Sequence, residues 1–152
     1  QLTGISDRML ATAPPAARVM REVAEFTRGC ALVAHNASFD RSFWRHEMAL
    51  AEATGAPGAA EFGCTLLLSR RLWSEAPNHK LGTLAHWHGF APTGRAHRAL
   101  ADAEMAAALW LRIVREVKER YAATVPFGLL CALQRVPRHQ LAGCAARYFQ
   151  AG

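Results

Sequence analysis

The stretch "LVAHNASFDRSFW", Leu32 to Trp44, decides how this chain is read. An apolar run stops at His35-Asn36, and a lone acid, Asp40, follows between aromatic residues. Short continuous apolar runs fit buried parallel strands, so Cys30 to Ala34 is expected as one. A helix is expected from Asp40 to Ala53. Asp40 at its start has two readings. Aspartate is among the best helix caps, and it is also a hard oxygen ligand for a metal.

Working outward, the chain alternates strand and helix. Val19, Val23 and Phe26 recur at helical spacing in a helix from Ala16 to Thr27, which opens after Pro14-Pro15. Phe62 to Leu68 reads as a strand turning into a helix near Cys64-Thr65. Ala76-Pro77-Asn78 breaks the chain, and Leu81 to Trp87 is a short helix. Gly89 to Gly94 is a loop before a long helix from about Arg98 to Tyr121. After it, the tail from Pro126 carries two short helices separated near Pro137. This alternation implies an α/β layer arrangement.

The chain has 152 residues, 51% of them hydrophobic and 20% charged, which suits a globular domain with its own core. Its apolar runs are too short to cross a bilayer, and no secretory signal pattern is seen at its start. Cys30, Cys64, Cys131 and Cys144 form no C-x-x-C pair, and reduced, buried thiols in a cytoplasmic protein are expected. The net charge of +6 favours a polyanionic partner, nucleic acid first and no membrane.

A second acid stands out in "GRAHRALADAEMAAALW", Gly94 to Trp110. On the long helix, Asp102 falls about 40° from the midline of Ala99, Ala103 and Ala106. That places it on or beside the apolar stripe completed by Trp110, Ile113 and Val117. A buried carboxylate needs a cation or a metal beside it. His97 diverges from Asp102 by about 140° on a continuous helix, so the two converge only if His97 sits on the preceding loop. There it is placed as a general base next to a metal ligand.

"AHNASFD" and "HRALADA" together resemble the second and third motifs of the DEDDh 3′–5′ exonucleases, the family of epsilon-type proofreading subunits. The second motif, H-N-x-x-F-D, contributes Asp40. The third, H followed five residues later by D, contributes His97 and Asp102. "CTLLLSRRLWSEAPNHKLGTLAHWHGF" is similar to the family's connecting segment. The resemblance implies an RNase H-like α/β fold, with residues 1–121 a partial exonuclease domain and 122–152 a C-terminal helical extension. It also implies hydrolysis of phosphodiesters at single-stranded 3′ ends, DNA ahead of RNA, releasing 5′-mononucleotides in replication or repair alongside a polymerase.

By the same resemblance, Asp40 and Asp102 ligate two Mg²⁺ or Mn²⁺ ions and His97 is the base. His35, Asn36 and Phe39 contact substrate or shape its site, Phe39 by core packing or by stacking on a base. The family's first motif, D-x-E, does not occur upstream of "LTGIS", Leu2 to Ser6. The expectation is therefore an N-terminally truncated domain, mostly helical, with a residual parallel sheet and too few acids for turnover. A binding or scaffold module with this fold and no activity is the alternative. A zinc site from His79, His86 and His88 fits poorly, because His86 and His88 diverge by about 200° on a helix. A serine hydrolase built on Ser38 lacks the G-x-S-x-G elbow.

Overall fold

A computed structural model describes residues 5–52, 61–90 and 99–150. A short helix α1 (Asp7–Leu10) precedes α2 (Ala16–Phe26), strand β1 (Leu32–Ala34) and helix α3 (Ala37–Leu50). Strand β2 (Phe62–Cys64) runs without a break into α4 (Thr65–Leu72). Then come α5 (Leu81–Trp87), the long α6 (Ala99–Arg120), α7 (Phe127–Leu133), a 3₁₀ turn (Arg138–Gln140) and α8 (Leu141–Tyr148).

The sheet is a parallel pair, with Leu32 opposite Phe62, Val33 opposite Gly63 and Ala34 opposite Cys64. Parallel neighbours need a crossover, and α3 lies in the segment that connects them. All of β2 is buried, whereas β1 is half-buried. The β1 strand is two residues shorter than expected. Gly29 (φ 73°) turns the chain out of α2, and Cys30, expected as a buried thiol, is exposed. Cys64 and Cys131 are buried, and burial pushes the Cys131 thiol up to about 12.

The main core joins α4, α5, α6, α7 and α8, with Leu68, Leu84, Leu109, Ile113, Leu130 and Leu141 inaccessible or nearly so. The tail therefore packs into the same core as the long helix. It also completes the sheet. Gln134, at the end of α7, accepts a hydrogen bond from the Cys64 N–H at 2.8 Å and donates to the Phe62 carbonyl at 3.0 Å. A side-chain amide thus takes the place of a neighbouring strand on β2. On the opposite side of the pair, β1 has no partner among the described residues other than β2.

Gly63 is where helices approach the sheet most closely. A Cβ there would lie 2.5 Å from the Trp110 ring and 3.1 Å from Phe127. Two expectations from periodicity need correction. In α2, Phe26 is 86% exposed, because that helix buries only Ala24. In α6, Ala99 and Ala103 are exposed, and the buried line runs through Ala101, Ala106, Leu109, Ile113 and Val117. The buried carboxylate of α6 is Glu116, not Asp102. Arg112 holds Glu116 at 2.6 Å, and Arg120 pairs with its other oxygen.

Candidate active site

The turn after β1 builds the site. His35 and Asn36 reverse the chain within two residues, with Asn36 in the left-handed region (φ 65°, ψ 47°). Asparagine tolerates that region better than most side chains. Asn36 is the residue that starts α3, and it makes no side-chain cap bond. Asp40 is the fourth residue of α3, so the capping reading is corrected: the helix begins three residues before it, and its carboxylate is exposed.

Helix α6 packs against β1 and carries Asp102, half-buried, toward the same place. One cleft of about 460 Å³ is lined by His35, Asn36, Phe39, Asp40, Leu81 and Asp102, together with Val33, Ala34 and small residues of α6. Five of the six expected site residues thus meet, from two elements more than fifty positions apart. The sixth, His97, lies outside the described residues.

Phe39 does not pack in the core. It is 60% exposed, and its ring lies 4.8 Å from that of Phe43. His35 is held by Thr65, with Nδ1 and Oγ1 2.9 Å apart, and the Thr65 hydroxyl also reaches the Ala34 carbonyl at 3.4 Å. Burial lowers the His35 pKa, a hydrogen bond to the backbone of His79 opposes this, and Arg70 adds to it. Burial therefore favours the neutral form of the imidazole. Thr65, fully buried at the strand-to-helix junction, was legible in the sequence only as a junction.

Among the described residues neither Asp40 nor Asp102 takes part in a salt bridge. The donors facing the cleft are carboxylate, amide and imidazole, with no thiol. That set suits a hard divalent cation. No group of three or more His, Cys, Asp or Glu side chains is arranged to hold a metal among the described residues. Of the three histidines weighed for zinc, His79 Nδ1 lies 3.2 Å from the Ser69 hydroxyl and the His88 ring sits against Trp73, Trp87 and Phe90.

The site is thus a strand followed by His-Asn, with one carboxylate on the next helix and a second on a helix packed against that strand. The chain belongs to the exonuclease family: residues 1–110 match its family model, which is described as Exonuclease. It is of the DEDDh, epsilon type, with an RNase H-like α/β fold. It is 36% identical over 137 residues to a DNA polymerase III subunit epsilon-like protein of Rhodobacter capsulatus, covering 90% of this chain and 18% of that one. It is 35% identical over 119 residues to the DNA polymerase III PolC-type of Caldanaerobacter subterraneus subsp. tengcongensis, covering 78% of this chain and 8% of that one. The PolC-type protein of Bacillus subtilis is 38% identical over 121 residues, again covering 8% of its length. The chain thus spans less than a fifth of the length of these relatives. No solved structure matches it. Among the described residues, no helix is long and apolar enough to cross a membrane.

Proposed function

We propose that this chain contributes the second and third motifs of a 3′–5′ exonuclease site acting on single-stranded DNA ends. The observation that carries this reading is the meeting of Asp40 and Asp102 in one cleft with His35, Asn36 and Phe39. The relatives' names, which refer to DNA polymerase III, favour DNA over RNA and a replication or repair setting with a polymerase partner.

Asp40 and Asp102 would hold divalent cations, Mg²⁺ or Mn²⁺, which when bound would supply charge neutralisation for phosphodiester hydrolysis. His97 takes the proton of the attacking water, since imidazole exchanges protons near neutral pH. Phe39, projecting beside Asp40, stacks on the terminal base. His35, locked by Thr65, and Asn36 form the wall against which the terminal nucleotide rests. The product is a 5′-mononucleotide.

Two carboxylates are half of the acids the motif set calls for, so the 152 residues by themselves are expected to give little or no turnover. The test uses 3′-labelled single-stranded DNA with Mg²⁺, comparing this chain with any longer chain in which a strand bearing D-x-E precedes it. Release of labelled mononucleotide by the longer chain, abolished by Asp40→Asn or Asp102→Asn, is the expected result. No release from the longer chain would leave a binding or scaffold module instead.

A further inference from the structure

A second cavity, of about 740 Å³, opens beside the carboxylate cleft and shares His35, Asn36 and Leu81 with it. Its remaining walls are Leu66 and Arg70 of α4 with Asn78, His79 and Lys80 of the segment entering α5. The two cavities therefore adjoin along a shared wall, with opposite character at the two ends. One end presents Asp40 and Asp102. The other presents Arg70 and Lys80, and no carboxylate lines it among the described residues.

Both cations are exposed, and neither is in a salt bridge among the described residues. Five arginines are differently placed: Arg18, Arg28, Arg112, Arg120 and Arg135 each pair with a glutamate. Asn78 is oriented by its own turn. Its Oδ1 accepts from the Lys80 N–H at 3.0 Å, which leaves its amide N–H groups free to donate. Arg70 is close enough to His35 and His79 to lower the pKa of each. The cationic end thus begins where the wall of the carboxylate cleft ends.

We infer that this groove, walled by Arg70, Asn78 and Lys80, holds the internal phosphates of a single strand whose 3′ terminus lies in the carboxylate cleft. The assignment rests on the exonuclease reading of that cleft and adds where the strand enters it. A guanidinium and an ammonium outside any salt bridge among the described residues suit phosphate oxygens, and Leu81 gives the path an apolar floor between its two ends. The same chemistry could take the phosphate of the released mononucleotide, and the two sources are separable.

The experiment measures binding of a 5′-fluorescein-labelled oligothymidylate, protected at its 3′ end by a phosphorothioate, to the 152-residue chain in Mg²⁺ across a salt series. The chain is compared with Arg70→Gln/Lys80→Gln and with Arg70→Lys, and thermal melting checks that each variant folds. Oligonucleotide affinity is expected to fall about tenfold in the double variant. The salt slope should shrink by about 1.4, since each single-strand phosphate contact contributes about 0.7. Arg70→Lys should retain most of the binding, and displacement by thymidine monophosphate should be unchanged. Unaltered oligonucleotide affinity and slope in a folded double variant would overturn the groove assignment and leave the cleft reading intact. Equal losses for oligonucleotide and monophosphate would also overturn it, placing the cations on the product. No oligonucleotide binding by the folded, unsubstituted chain would overturn the groove assignment, while the exonuclease reading stands or falls on release by the longer chain.

Discussion

His35 Nδ1 and Thr65 Oγ1 lie 2.9 Å apart and join the end of β1 to the first residue of α4. The contact ties the wall of the cleft to a residue that is fully buried where strand becomes helix. Thr65→Val keeps the volume and removes the hydroxyl. It leaves His35 and the Ala34 carbonyl each short of a partner. Stability is expected to fall by about 1–2 kcal/mol, read as a shift of the urea midpoint without a change in slope.

The two carboxylates of the cleft should behave as functional rather than structural groups. Asp40 is exposed, Asp102 is half-buried, and neither is in a salt bridge among the described residues. Asp40→Asn and Asp102→Asn are expected to change stability by no more than about 0.5 kcal/mol. Each should weaken Mn²⁺ binding in calorimetry by about tenfold or more. Glu116→Gln provides the contrast. It strips charge from a buried carboxylate that holds two arginines, so it should destabilise the fold by about 3 kcal/mol and leave Mn²⁺ binding alone.

Gly63 is expected to tolerate no side chain. A methyl group there would meet the Trp110 ring at 2.5 Å and force α6 or α7 away from the sheet. Gly63→Ala should cost about 1–3 kcal/mol in denaturant unfolding. Gly82, with open space around it, is the control, and Gly82→Ala on the exposed face of α5 should be neutral or stabilising.

Stability should fall on the acid side. Burial lowers the pKa of both His79 and His88 from 6.5. Arg70 adds to the effect at His79. At His88, Arg112 adds to it and Glu116 opposes it. Below pH 6.5 the unfolded chain therefore binds protons that the folded chain refuses. Stability is held above that pH and lost as pH drops through 6.5 toward the lowered values. Urea melts at pH 8, 7, 6 and 5.5 check this. His88→Phe, which keeps the ring contacts to Trp73 and Trp87, should make the acid-side decline shallower.

Much of the fold was legible in the sequence. The helix from Leu81 to Trp87, the strand-to-helix junction at Cys64-Thr65 and the tail helices on either side of Pro137 lie where local pattern and turn residues put them. The errors share a physical cause. Periodicity says which residues can form a stripe, not which side meets a neighbour. Phe26 and Ala103 continue their stripes but face water, because α2 touches the rest through Ala24 and α6 turns Ala106 and Leu109 inward. Of the two readings held for Phe39, core packing is corrected, because its ring is 60% exposed. Asp40 was read at the first position of α3, whereas the helix begins three residues earlier at Ala37, after the left-handed Asn36.

By itself the sequence determined the identities and spacing of the acids, the family to which the chain belongs, and the order of its elements. Hydrogen bonding along the backbone and the burial of apolar stripes act over a few residues, so they leave a local trace. The convergence of Asp40 with Asp102, the Thr65 clamp on His35, the Gln134 amide standing in for a strand, and the cationic groove beside the carboxylates were decided only by tertiary packing. Each joins residues from different elements, and which elements touch depends on how all the buried faces fit at once.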